Sequence, residues 1–438
     1  MGAAMRRIQA GSALSAFGLG FTVPFLYIYV AYTRDLGTTA GGLVIGVFAL
    51  AALIALPFVG RVIDRRGPRP VVVGASVVAA VGAVLFGLST NIVTVMLSAA
   101  LLGAGTAVTQ PALATMIVWA SEAHARTRAF AFQFFLQNIG LGLGGLIGGN
   151  IVDKSRASSF TLLFSIEAVM FLVLAAIILS VRLARPEPVA GAAAEGAEGG
   201  GFKVLLQDKA MVKLLVLGFI LFFAVYGQFE SGLSAYGTEA AGIEPSMFGT
   251  ALAANTAVIG IAQFVILKYV DRYKRTRVIA AVGLIWAVAW AIAGYAGLGA
   301  TSQAMATAAF ISTYALFGLG EAMLAPTVAP LVVDLAPESM VGQYNSAFAL
   351  VKQLALALGP AIGGPMGAAL HAPYIVTFVL FSLAVTVLAV RLGRMLTPVQ
   401  NQPALVAPPS RVVAQYTPGE KAETSRNTGK AEKIGTAA

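Results

Sequence analysis

The sequence predicts an all-α integral membrane protein, with twelve transmembrane helices in two parallel six-helix repeats. Three observations carry that prediction: the composition, the number of apolar runs, and an alignment of the two halves on each other. The chain has 438 residues, 58% hydrophobic and 11% charged, with a mean hydropathy of +0.84. A soluble globular chain is about 25% charged, so this one lacks the polar groups to cover a water-facing surface. A soluble enzyme is excluded. Cysteine is absent, which removes disulfides, thiolate metal sites and a cysteine nucleophile. His124 and His371 are the only histidines, so neither a metal site nor a cofactor is expected.

Runs of about 20 apolar residues place spans 1 to 6 near 10–32, 40–60, 70–89, 93–118, 128–150 and 159–181. Spans 7 to 12 follow near 212–235, 246–268, 277–297, 303–332, 341–369 and 373–394. The chain then divides into an N-terminal half (1–182), a linker (183–211), a C-terminal half (212–396) and a tail (397–438). The linker contains RPEPVAGAAAEGAEGGGFK, without apolar periodicity. The tail is polar and is expected to be disordered. Arg6 and Arg7 precede the first apolar stretch. That stretch is longer than the core of a signal peptide and lacks a clear cleavage site, so it is read as span 1.

The halves look like copies. LLGAGTAVTQPA at 101–112 aligns without gaps on LFGLGEAMLAPT at 316–327, an offset of 215. Asp64-Arg65 falls on Asp271-Arg272, and Gly42 on Gly249, at an offset of 207. Repeats running in the same direction are related by an axis along the membrane normal and place a substrate site between the halves, near the midplane. That arrangement implies alternating access rather than a fixed pore.

The net charge of +10 invites a nucleic-acid reading, but its distribution argues otherwise. With the amino terminus in the cytoplasm, 25 of the 29 Lys and Arg residues fall inside, three outside (Arg34, Lys154, Arg156) and one, Lys352, within the membrane. This is the positive-inside pattern. It predicts a multi-pass protein with both termini cytoplasmic, and no nucleic-acid partner.

The loop after span 2 reads GRVIDRRGPRP (60–70). Gly60, Asp64, Arg65, Gly67 and Arg69 match the G-x-x-x-D-R/K-x-G-x-R/K pattern between spans 2 and 3 of the major facilitator superfamily. With twelve spans and a two-fold repeat, the chain resembles that superfamily over its whole length apart from linker and tail. The resemblance implies that Asp64 helps to latch the halves together on the cytoplasmic side. The second-half copy, DRYKRTR at 271–277, lacks both glycines.

In span 5, Gly140, Gly144, Gly148 and Gly149 resemble the G-x-x-x-G-P-x-x-G-G signature of the superfamily's proton-coupled antiporters, although Gly145 stands where the proline is expected. Span 11 has the proline form, in Gly359, Pro360, Gly363 and Gly364. Close helix packing in lipid also accounts for such spacing, and the signature leans towards export. The span-4 pattern of many drug–proton antiporters is incomplete: Gly103, Gly105 and Ala107 match, but Ala99 replaces the arginine.

Ionisable residues within spans are functional candidates, because burying them is costly. Glu321 and Lys352, on consecutive spans and each 10–13 residues from the cytoplasmic ends, are expected at equal depth as an ion pair, either as glue or as a pair that a proton or substrate separates. Glu230 lies in YGQFESGLSAY and is the third candidate for proton coupling. Glu167, on a peripheral span, is expected to make a local polar contact. Candidates for the substrate pathway are Phe25, Tyr29, Gln110, Gln137, Asn138, Tyr226, Gln228, Asn255 and Gln353. Gln137 aligns with Lys352, and Asn138 with Gln353, in the repeat.

No ATP-binding G-x-x-x-x-G-K-[ST] run and no hydrolase motif is present. The leading expectation is therefore a monomeric, proton-coupled exporter of small lipophilic or cationic drug-like compounds in a bacterial plasma membrane. Its partners are the solute, protons and lipid. The alternatives are proton-coupled or facilitated uptake of a nutrient such as a sugar or organic acid, and a receptor that no longer transports.

Overall fold

A computed structural model describes residues 2–122, 125–153, 155–183, 201–229, 231–298 and 302–402. Among the described residues, eleven helical stretches are long and apolar enough to cross a membrane, span 1 (Ala3–Thr33) among them. They include span 2 (Thr38–Arg66), span 3 (Pro68–Leu88), span 4 (Ile92–Trp119), span 5 (Arg126–Ile151) and span 6 (Ala157–Leu179). In the second half they are span 8 (Pro245–Tyr269), span 9 (Arg275–Ala296), span 10 (Gln303–Leu335), span 11 (Val341–Ala369) and span 12 (His371–Gly393). The twelfth element, span 7, is broken into Lys209–Ala224 and Gly232–Glu239. Span 1 is broken too. It is α-helical over Ala3–Gly20, then turns through Phe21 and Thr22 into a 3₁₀ stretch (Val23–Phe25), a short α stretch (Leu26–Ile28) and a π stretch (Tyr29–Thr33).

Local chemistry accounts for the breaks and the ends. Pro24 removes a donor from span 1. In span 7, side chains re-satisfy the freed carbonyls: the Tyr314 hydroxyl donates to Phe229 O at 2.9 Å, and Ser231 Oγ to Gly227 O at 2.9 Å. Non-helical backbone at membrane depth survives only with such partners. Between spans 2 and 3, Gly67 takes φ +83°, a left-handed value that suits glycine, and Pro68 opens the next helix. Asn91 and Asp208 cap spans 4 and 7 through their side-chain oxygens.

Each half has its own core. In the first, Tyr29 packs among Phe86, Phe160 and Phe164; in the second, Trp290 packs among Phe317, Tyr374 and Phe378. Large apolar side chains such as Phe58, Leu146 and Ile261 stay exposed on the outside, as a surface facing lipid requires.

Two expected boundaries shift. Residues 201–207, assigned to the linker, are helical, and span 7 begins at Lys209. The tail does not become irregular at 397. Pro398–Asn401 form a helix closed by a Thr397–Gln400 capping box, and Asn401 is buried against Thr276. Residues 184–200 and 403–438 lie outside the described residues.

Candidate functional site: a cavity between the halves

The contacts that join the halves gather at one end of the bundle, the end that carries Arg65, Arg66 and the start of span 7, here called the basic end. The Asp64 carboxylate accepts from the backbone N–H groups of Gly342 and Gln343 at 2.6 and 3.0 Å, and from Gln343 Nε2 at 3.1 Å. It thereby caps the start of span 11, where the helix dipole favours an anion. Gly60 and Gly342 allow this approach. A Cβ on Gly60 would lie 2.6 Å from Gln343 Cα, and one on Gly342 would lie 2.7 Å from Asp64 Oδ1. Arg69 donates within its own half, to Leu179 O, and Arg65 is exposed.

Three further links close the same end. Asp334 is shared by Arg126 of the first half (2.7 Å) and the buried Arg275 of the second (2.6 Å). Gln263 donates to Ala131 O at 3.2 Å, next to a Phe135–Phe264 edge contact. Asn345 donates to Thr115 Oγ1 at 3.3 Å. Sequence reasoning missed Arg126, Arg275 and Asp334. Arg275 looked like part of a basic loop; the available signal was Asp334, an acid at the end of an apolar helix.

Above this closed end, spans 4, 5, 7, 10 and 11 line a cavity of about 220 Å3. Its polar wall includes Gln110, Gln133, Gln137, Tyr226, Asn345 and Lys352. Gln133 and Gln137 are tied to Ser12 Oγ of span 1, the second at 3.0 Å. Lys352 is accessible along the wall, with Nζ 5.2 Å from the Phe222 ring centre and 6.0 Å from that of Tyr226, within cation–π range.

Glu321 is buried behind this wall (4% exposed). Asn255 Nδ2 donates to its Oε1 at 2.9 Å and to Tyr314 O at 3.1 Å. The Tyr226 hydroxyl faces the same carboxyl from the cavity side, and Lys352 acts on it electrostatically. The expected direct ion pair is not formed. Lys352 stacks on aromatic rings in the cavity, while Glu321 is held by Asn255, with Tyr226 between.

Other expected pathway residues lie elsewhere. Tyr29 is wholly buried in the first half's aromatic core, donating to Gly87 O at 3.1 Å and accepting from Arg34 Nε at 2.7 Å. It is no wall residue, because span 1 has turned there into its π stretch. Phe25 packs on Gly148. Gln228 is fully buried between Phe223 O and the Tyr374 hydroxyl, and Asn138 bonds to its own helix at Phe134 O. Of the aligned pairs, Gln137 and Lys352 share the cavity wall, whereas Asn138 and Gln353 are not among its residues. Glu167 is buried in the first half, where the Thr22 hydroxyl of span 1 faces its carboxyl, the local polar contact that was expected. Glu230 and His124 lie outside the described residues.

The glycine stripes pack the broken spans symmetrically. Gly140, Gly144 and Gly148 meet span 1 at Ala13, Phe17 and Phe21, while Gly359 and Gly363 meet span 7 at Gly227 and Gln228. Gly149 has only loose contact, and nothing lies near Gly364. Pro360 sits inside span 11.

The comparisons with known proteins agree with this architecture. The sequence model of the Major Facilitator Superfamily matches residues 10–360 and 238–426. The quinolone resistance protein NorA of Staphylococcus aureus (strain MRSA252) is 28% identical over 145 residues, 33% of this chain and 37% of that one. The chain thus aligns with little more than a third of such curated relatives. The uncharacterized MFS-type transporter YdeE of Escherichia coli (strain K12) is 25% identical over 360 residues, 82% of this chain and 87% of that one. Among solved structures, a bacterial homologue of the iron transporter ferroportin in an outward-facing state superposes with a TM-score of 0.74 at 15% identity, covering 89% of this chain and 99% of that one. The transporter FucP in its outward conformation gives 0.72 at 15%, covering 89% and 98%. On the family match, the repeat and the twelve-helix bundle, this chain belongs to the Major Facilitator Superfamily.

Proposed function

We propose that the protein is a proton-coupled exporter of small lipophilic compounds, working by alternating access in a bacterial plasma membrane with its basic end and both termini in the cytoplasm. In this reading the structure is an outward-facing state, latched at the cytoplasmic end by Asp64 and Asp334. The observation that carries it is the Asn255–Glu321–Tyr226 cluster: a buried carboxyl one side chain behind the wall of the cavity between the halves. A proton taken up by Glu321 from outside discharges its interaction with Lys352. Its release inside restores the interaction, so proton and solute compete for one set of wall contacts. About 100 mV is worth roughly 2.3 kcal/mol per charge and one pH unit about 1.4 kcal/mol. Together they sustain a gradient of a few hundred-fold for a neutral solute.

Lys352 refines the solute class. It is the charged side chain among the described wall residues, so neutral or anionic lipophilic compounds fit better than cations. The relative named for quinolone resistance supports export. Lys352 also supports the second reading, uptake of an organic acid.

The test follows a fluorescent lipophilic acid and a fluorescent lipophilic cation in cells with and without a protonophore. Protein-dependent loss of the acid is expected, abolished by the protonophore, slowed by about tenfold or more in Glu321→Gln and weakened in Lys352→Met. Accumulation of the acid selects uptake. Unchanged retention of both probes overturns export of this solute class.

A further inference from the structure

Glu167 sits near the middle of span 6, ten residues from Ala157 and twelve from Leu179, so about 15 Å from the nearer end at about 1.5 Å per residue. Its side chain is fully buried, and neither carboxyl oxygen has a partner at close hydrogen-bond geometry among the described residues. Span 1 lies against it. A Cβ on Gly18 would be 3.3 Å from Glu167 Cα, and the hydroxyl facing the carboxyl is that of Thr22. Thr22 is itself fully buried. It occupies the turn where span 1 stops being α-helical, beside the exposed Val23 and Pro24.

No charged side chain of the packed helices acts on Glu167 among the described residues. Towards the end opposite the basic one, the titratable groups Tyr29 and Arg34 are occupied with each other and with Gly87 O. An ionised carboxylate buried at membrane depth is costly, and a proton on the group removes that cost. Its polar company among the described residues is the one hydroxyl of Thr22. Mid-span 3₁₀ and π geometry often marks a hinge or a functional site, and this segment holds the hydroxyl that faces the acid.

We propose that Glu167 is a second proton-binding site, in the N-terminal half, loaded in this conformation and emptied when the broken stretch of span 1 shifts Thr22 and admits water. The carboxyl O–H bond breaks, the proton passes to water, and the carboxylate remains until the stretch closes. This rests on the reading of the protein as proton-coupled, but it is measurable without any solute.

The test is infrared difference spectroscopy of the full-length protein in lipid nanodiscs between about pH 5 and about pH 9, a range in which buried glutamates are known to titrate. The signal is the carbonyl stretch of protonated carboxylic acids. Glu167→Gln is expected to remove one pH-dependent band that Glu321→Gln retains, and Thr22→Val to shift the midpoint of that band alone. A Glu167→Gln spectrum identical to wild type overturns the proposal. If Glu167→Gln does not fold, an unshifted band in Thr22→Val overturns it instead. Transport that ignores a protonophore while the band persists overturns proton coupling and leaves the site standing.

Discussion

Replacing Gly144 by leucine is expected to abolish folded, monodisperse protein, and Gly144→Ala to cost about 1–3 kcal/mol, read as a lowered melting temperature in detergent. A Cβ on Gly144 would strike the Phe17 carbonyl oxygen and lie 3.1 Å from Gly20 Cα. These are backbone atoms, so no side-chain rotation relieves the clash; the helices must separate. In lipid, close packing is the principal force holding helices together, and separation forfeits many dispersion contacts at once. The pseudo-symmetric Gly359, packed on Gly227, is expected to respond in the same way. Gly364→Ala provides the control. Nothing lies near it, so its effect should stay within about 0.5 kcal/mol. Equal losses at Gly144 and Gly364 would show that the stripe is not a packing device.

The glycine stripes show what was legible in the sequence and what was not. Spacing of four predicts one packed face, and the packed members of the signature are the ones on that face. It does not name the partner helix, which depends on the three-dimensional arrangement of the half. Spans and repeat were legible because lipid demands long apolar runs and duplication leaves an alignment. Glu321 and Lys352 were singled out for the cost of burying charge; Lys352 lines the cavity and Glu321 lies behind its wall. Their relation was misjudged, because equal depth on neighbouring helices says nothing of the direction in which each side chain points. Tyr29 and Gln228 were misplaced for a related reason: both spans 1 and 7 break near them, and a break rotates every residue beyond it out of helical register. Breaks at corresponding positions in two repeats are themselves a pointer to a transport pathway. Pro24 was a legible sign of the first, whereas the second came with no proline to mark it.

Asp64→Asn is expected to unlatch the basic end. The carboxylate takes three N–H groups at the start of span 11, while an asparagine of the same shape loses the charge and turns an NH2 towards one of those donors. A hydrogen bond to a charged group is worth about 1.5–3 kcal/mol. A net loss of about 2–3 kcal/mol changes the ratio of latched to unlatched molecules by roughly 30- to 150-fold. The absence of cysteine makes the measurement direct, because Arg66→Cys and Ser339→Cys, exposed positions on either side of the contact, take a pair of spin labels with no background. Wild type should give one short distance, and the Asp64→Asn protein an added longer population. An unchanged distribution would mean that Asp334, bridging Arg126 and Arg275, holds the end closed without help. Asp334→Asn would then have to produce the opening that Asp64→Asn does not. The two carboxylates differ in kind: Asp64 caps a helix that must move for the end to open, whereas Asp334 ties two arginines from opposite halves. Only the first couples the latch to span 11, the helix that carries Lys352 into the cavity.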